Sequence, residues 1–127
     1  MKRQLILILI LTSLVLLLGI SCEYASHRIA TRFQSKMLQV GLALSEENWD
    51  KALLHAANIH AAWQESNRLV QLWINHEDID DVTEGLLSLR SAVIARDFSA
   101  ALAAYNQCVE NFGHLHHRDA FTLRNVL

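Results

Sequence analysis

The chain of 127 residues contains no proline, and this absence is its strongest constraint on fold. At an ordinary usage of about 5%, a chain of this length would carry about six prolines. Proline is typical of turns, edge strands and disordered linkers, so its absence argues against a β-sandwich, a barrel or a flexible linker. Apolar residues recur at helical spacing through most of the sequence. We therefore predict an all-α protein.

The first 22 residues are the most apolar part of the chain. Two basic residues, Lys2 and Arg3, precede an apolar run over 5–20 that only small or hydroxyl residues interrupt. From position 5 to Cys22 the segment has 18 residues, which is roughly 27 Å of helix at 1.5 Å per residue. A hydrocarbon core is ~30 Å thick, so the segment predicts a membrane-spanning helix.

Three interpretations of this segment remain open. The one we favour is an uncleaved signal anchor with its amino end inside, which the length of the segment supports. The second is a lipoprotein signal, in which Cys22 is the lipidation site, since a small residue precedes it in a loose lipobox. The third is a cleaved secretory signal, for which the sequence lacks a good A-x-A-like site. All three put the rest of the chain on the outer side of a membrane, and the short basic tail supports that orientation.

The remainder predicts helices that pack by amphipathic faces. A transmembrane helix (1–22) continues into an amphipathic helix (23–45), and an antiparallel bundle of three to four helices occupies 46–127. Ser45 and Asp97 are predicted helix N-caps. One apolar stripe on the helix that leaves the membrane has steps of three and four residues, and we predict it as a face for another protein if the bundle does not cover it. That predicted interaction face consists of Ile29, Phe33, Met37, Val40 and Leu44.

Aromatic residues recur at helical spacing in the bundle, and we expect them to fill its core rather than to line a ligand groove. The predicted core aromatics are Trp49, Trp63, Trp73, Phe98 and Phe112. Gly85 lies inside a regular heptad-like seam, where glycine costs up to ~1 kcal/mol relative to alanine. A close approach of two helices would explain its presence.

One cluster has residue types that bind metals. Glu110, His114 and His117 follow one another at i, i+4 and i+7, on one side of a helix. Such a trio resembles a zinc site with water as the fourth ligand. A solvated polar face is the simpler interpretation, so we predict no metal and no other cofactor.

No motif points to a reaction, and we predict that the protein is not an enzyme. The chain has no Gly-rich phosphate loop and no G-x-S-x-G sequence. Cys108 has apolar neighbours, which predict an inert thiol. Residues 23–127 carry nine basic and 13 acidic side chains, a net charge of −4, so we expect no nucleic-acid partner.

The sequence also resembles a family of short bacterial proteins with one membrane segment and a helical extracytoplasmic domain of unknown function. The resemblance covers residues 45–127 in detail and the whole chain in layout. It is carried by Asn48-Trp49, Trp63, the run LWINHEDID at 72–80, His114 and the ending LRNVL at 123–127. The family implies a membrane-tethered helical protein at the bacterial cytoplasmic membrane, and it offers no catalytic residues.

These observations predict a membrane-tethered, non-enzymatic interaction or scaffold protein whose carboxy-terminal domain faces the extracytoplasmic side. Its expected partners are the membrane and either another protein or a second copy, joined through helices. The alternative is an extracytoplasmic domain that binds a small ligand or a metal, and such a domain is compatible with a lipoprotein.

Overall fold

The computed structural model describes the backbone of residues 1–126 and the side chains of residues 1–115. Within that backbone it consists of helices joined by short turns, and it contains no strand. The predicted all-α class and the bundle are confirmed. The elements are α1 (Lys2–Ser45), α2 (Trp49–Val70), α3 (His76–Ile94) and α4 (Phe98–Val126).

Contacts between α1 and α2 show that they run in opposite directions. The Trp73 indole N–H, just beyond the end of α2, donates to Ser26 Oγ at 2.9 Å. Further along α1, Phe33 meets Trp63, which is earlier in α2, with ring centroids 5.5 Å apart. Helix α3 packs on α2, and α4 packs between α3 and α1, so the four helices enclose one core.

The α1–α2 and α3–α4 turns have the same backbone conformation and hydrogen-bonding pattern. Glu47 and Arg96 both have a φ of 54°, in the left-handed region. The next residues, Asn48 and Asp97, each donate their backbone N–H to a carbonyl five residues back, at 2.9 and 3.1 Å. Their side chains then accept from the N–H three residues ahead, at 3.2 and 3.1 Å. Each turn therefore closes one helix with a Schellman-type bond and caps the next.

The prediction of Asp97 as an N-cap is confirmed, whereas that of Ser45 is wrong. Ser45 is the last residue of α1, and its hydroxyl donates to the Leu42 carbonyl at 2.7 Å. Asn48 takes the cap instead, because the left-handed residue before it reverses the chain and brings its side chain to the free N–H groups of α2.

The core crosses the predicted boundary at residue 46. Buried residues of α1 begin at Ser26 and continue at helical spacing to Leu44. They join one cluster with the inward faces of α2, α3 and α4. The second part of α1 is therefore one of the four bundle helices, and the bundle starts within α1.

Candidate functional site

The stripe predicted as an interaction face lies inside the bundle. Four of its residues are almost completely buried, and Ile29 is partly buried against the core. The stripe faces α2 and α4, the two helices that contact α1. The condition for that prediction, a stripe left uncovered, is not met, because the chain covers the stripe with its own helices. The buried members are Phe33, Met37, Val40 and Leu44.

Two of the predicted core aromatics form the centre of the bundle together with Phe33. The Phe33 and Phe112 rings stack at 5.1 Å with planes 4° apart, and Trp63 meets both edge-on at 5.5 and 5.6 Å. The Trp63 indole N–H donates to Thr83 Oγ1 at 3.0 Å, so burial leaves no polar atom of the indole unpaired. This layer joins all four helices and packs the centre of the core.

The other predicted aromatics lie nearer the ends of the bundle. Trp49 and Trp73 are half-buried and pack against the core. Phe98 is 41% exposed, so its prediction as a core residue is wrong. Phe98 is the first residue of α4 and lies beyond the last core layer, and Ala101 is the first residue of that helix to be buried.

The candidate metal ligands form no site among the described side chains. His114 Nε2 lies 3.8 Å from Glu110 Oε1, and both side chains are about half exposed or more. His117 lies outside the described side chains. In the part of the chain that the structure describes, no three His, Cys, Asp or Glu side chains are grouped to hold a metal.

A polar groove between α3 and α4 is a feature that the sequence did not reveal. It has a volume of about 330 Å³ and is lined by Asp81, Glu84, Gly85, Ser88, Ala104, Gln107 and Asn111. The amide of Asn111 donates to the Asp81 carbonyl at 3.0 Å and accepts from Gln107 at 3.0 Å. The buried amide is thus used within the protein, where it cross-links the two helices.

Gly85 forms the floor of this groove, and the close approach predicted there is confirmed. A Cβ at that position would lie 3.2 Å from Cys108 Sγ and 3.3 Å from Asn111 Nδ2. Burial raises the pKa of the Cys108 thiol to about 12. The thiolate is therefore scarce at neutral pH, which makes Cys108 a packing residue rather than a nucleophile.

Among the described side chains, one buried polar atom has no hydrogen-bond partner. His60 Nε2 on α2 is enclosed and makes no hydrogen bond among the described residues. The imidazole does not line the α3–α4 groove. A single unpaired nitrogen does not by itself define a ligand site.

Exposed apolar side chains are the remaining surface features of the bundle. Leu38 and Leu42, one turn apart on α1, are both well exposed. Leu42 borders a groove of about 260 Å³ that Gln39, Lys51 and His55 also line. A second exposed pair, Leu69 and Leu72, lies at the α2–α3 turn.

The most distinctive surface is the first part of α1. Its 18-residue apolar window has a mean hydropathy of 2.9, and none of that window is buried inside the protein. It is long and apolar enough to cross a membrane, a test that a signal sequence also meets. Since none of it is buried within the chain, it differs from the core helix of a soluble protein.

Comparisons with known proteins give a family and no function. The family model described as "Domain of unknown function (DUF4363)" matches residues 22–126. That match begins where the apolar run ends and includes the whole bundle. No curated protein and no solved structure matches the chain.

Proposed function

Starting from the fact that the chain belongs to the DUF4363 family of unknown function, we propose that it is a membrane-tethered, non-enzymatic interaction or scaffold protein. The first part of α1 is the tether, and the bundle is the module that it holds at the membrane. The bundle faces the extracytoplasmic side of a bacterial cytoplasmic membrane, because the short basic amino tail is of the kind retained inside.

The continuity of α1 is the observation that carries this proposal. One helix of 44 residues contains both the exposed apolar segment and a buried helix of the bundle. No proline interrupts it. A continuous helix transmits orientation as well as position, so the bundle is held at a set height and angle to the membrane rather than on a flexible linker.

The surface for a protein partner must differ from the buried stripe. The exposed pair Leu38 and Leu42 extends along the same helix, on a side that the bundle leaves open. With the adjoining groove at Lys51 and His55, this pair offers apolar contact beside polar groups. That combination is typical of the apolar centre and polar rim of a protein interface.

The tether is tested by fractionation and intact mass of the full chain. A retained anchor gives carbonate-resistant membrane association at the full 14.4 kDa. A lipoprotein gives membrane association, a chain that begins at Cys22 and added acyl mass. A shorter, unacylated chain in the soluble fraction would contradict the tether.

The interaction face is tested by site-specific photocrosslinking in native membranes. A benzophenone maleimide at Leu42→Cys, in a Cys22→Ser background that removes the other accessible thiol, is expected to give a discrete adduct with a protein or a second copy. The matched control is Leu87→Cys, an exposed leucine on α3. Equal labelling at both positions, or no adduct at Leu42→Cys, would argue against this face.

A further inference from the structure

We propose that the α2–α3 turn, residues 69–73, is a second membrane contact, in which Leu69 and Leu72 enter the interfacial layer of the bilayer that α1 crosses. This inference rests on the proposed tether. It adds to that tether a second surface of the protein, the α2–α3 turn, and names lipid as what this surface contacts. The bundle then lies against the lipid surface instead of projecting away from it.

The distance of the turn from the hydrocarbon core of the bilayer follows from one hydrogen bond. Trp73 Nε1 donates to Ser26 Oγ at 2.9 Å, which holds the turn beside that residue of α1. Ser26 is six residues beyond Ile20, the last residue of the apolar run, and six residues of helix rise about 9 Å. The headgroup layer on each side of the hydrocarbon core is about 5–8 Å thick. At about 9 Å the level of Ser26 lies just outside that layer, so a leucine side chain that extends from the turn toward the bilayer enters it.

The antiparallel order makes this turn the lowest point of α2 and α3. Helix α2 descends toward the membrane segment and ends at Val70, and α3 begins at His76 and rises again. Every other residue of these two helices lies farther from the bilayer than the turn that joins them.

The backbone of the turn directs its leucines to one side. Leu72 N donates to the Leu69 carbonyl at 3.2 Å, and Trp73 N donates to the Val70 carbonyl at 3.1 Å. In such 3₁₀ geometry, side chains at i and i+3 eclipse each other. Val70 and Trp73 thus share the inward side, whereas Leu69 and Leu72 share the outward side, where they are 64% and 78% exposed.

The chemistry of the surrounding surface fits a lipid interface. Tyr24 on α1, four residues beyond the apolar run, is exposed at the same end of the bundle. Aromatic residues with a polar tip are enriched at this depth of a membrane. A small groove lined by Ile20, Glu23, Tyr24 and His27 lies on α1 where the apolar run ends. The turn is covalently tied to the bilayer through α1, so lipid is the apolar phase always within its reach.

The experiment uses the full chain in phosphatidylcholine vesicles. A nitrobenzoxadiazole maleimide is attached to Leu72→Cys in a Cys22→Ser background. The remaining Cys108 is fully buried and does not compete for the label. The matched control is Leu54→Cys, an exposed leucine 18 residues earlier on α2, about 27 Å farther from the membrane by the rise of the helix.

We expect iodide to quench the position 72 label with a Stern–Volmer constant at least about threefold below that at position 54, as burial in the interface requires. Lipids with a nitroxide near the headgroup are expected to quench position 72 and to leave position 54 unquenched. Adding Leu69→Asp to the Leu72→Cys chain is expected to bring the iodide constant back toward the control, since a carboxylate resists the apolar phase.

Equal iodide quenching at both positions, in protein that stays with carbonate-washed vesicles, would overturn the second contact and leave the tether intact. Protein that does not stay with the vesicles would overturn the tether, and the second contact with it. Circular dichroism of each labelled chain verifies that the bundle is folded.

Discussion

The two parts of α1 belong to one helix, yet they are built for different surroundings. In the first part, apolar side chains point in every direction, and those from 5 to 20 are exposed. In the second part, from Ser26 to Leu44, one side is buried and the other carries mainly charged and polar residues together with Leu38 and Leu42. A helix that is apolar all round needs an apolar solvent, whereas a helix with one apolar side needs partner helices.

The difference shows that one continuous helix can carry two kinds of surface. The backbone hydrogen bonds of a helix are satisfied internally, so one helix can cross from lipid to water without a break, as we propose for α1. Only the distribution of side chains changes at the boundary. The residues near that boundary, Cys22 to Ser26, connect the exposed apolar part of α1 to the part that packs in the bundle.

The largest effect is expected from charging the first part. On an insertion scale, Leu11→Asp with Leu14→Asp costs about 6–8 kcal/mol at a helix centre. Both leucines are exposed, so the thermal unfolding of the bundle should not change. We expect the double variant to move from carbonate-washed membranes to the supernatant. Leu38→Asp, on the exposed side of the second part, is the control that should stay in the membrane.

The second largest effect is expected on the stability of the bundle, without a change in membrane retention. Phe33→Ala removes the ring that stacks on Phe112 and should lower the free energy of unfolding by about 3–5 kcal/mol. Chemical denaturation in detergent micelles measures this loss, and Leu42→Ala should change stability by less than about 0.5 kcal/mol. Membrane retention should not change in either variant. If Phe33→Ala also released the protein from membranes, the two parts would not be independent.

A smaller effect is expected at the joint. Ser26→Ala removes the acceptor of the Trp73 indole N–H and should cost about 1–2 kcal/mol. Hydrogen exchange should accelerate in the turn 69–73 more than elsewhere in the bundle. Thr31→Ala is the control, because that hydroxyl bonds only within its own helix, to the His27 carbonyl. Unchanged exchange in the turn would show that this bond does not hold the turn in place.

The smallest expected effect is an increase in the stability of the bundle. Glu47→Gly and Arg96→Gly relieve a left-handed backbone in a non-glycine residue, and each should stabilise the bundle by up to about 1 kcal/mol. The gain is measured as a higher denaturation midpoint with an unchanged slope. A loss of stability in both variants would show that these side chains make contacts worth more than the backbone strain.

The helices and their inward faces were largely predictable because they depend on local spacing. The stripe from Phe33 to Leu44 was correctly identified as apolar, and the cap at Asp97 was correctly placed. What covers the stripe was not predictable, since that depends on helices far along the chain. Phe98 was wrongly placed in the core because spacing alone does not tell where the bundle ends.

The polar features were the least predictable. Asn111 is buried between two helices by contacts to Asp81 and Gln107 that have no periodic signal in the sequence. Gly85 was the one local clue to that contact, because a glycine inside a helix needs a reason such as a close neighbour.

By itself the sequence determined that this protein is helical and that its first segment is apolar on all sides, because composition and spacing act residue by residue. Only the tertiary structure decided that α2 and α4 cover the apolar stripe of α1. It also decided that the α2–α3 turn lies beside Ser26, where the buried part of α1 begins. The physical reason is the sequence separation of the interactions. A helix forms from hydrogen bonds between residues four apart, whereas its packing partners depend on how the apolar faces of all four helices fill one core.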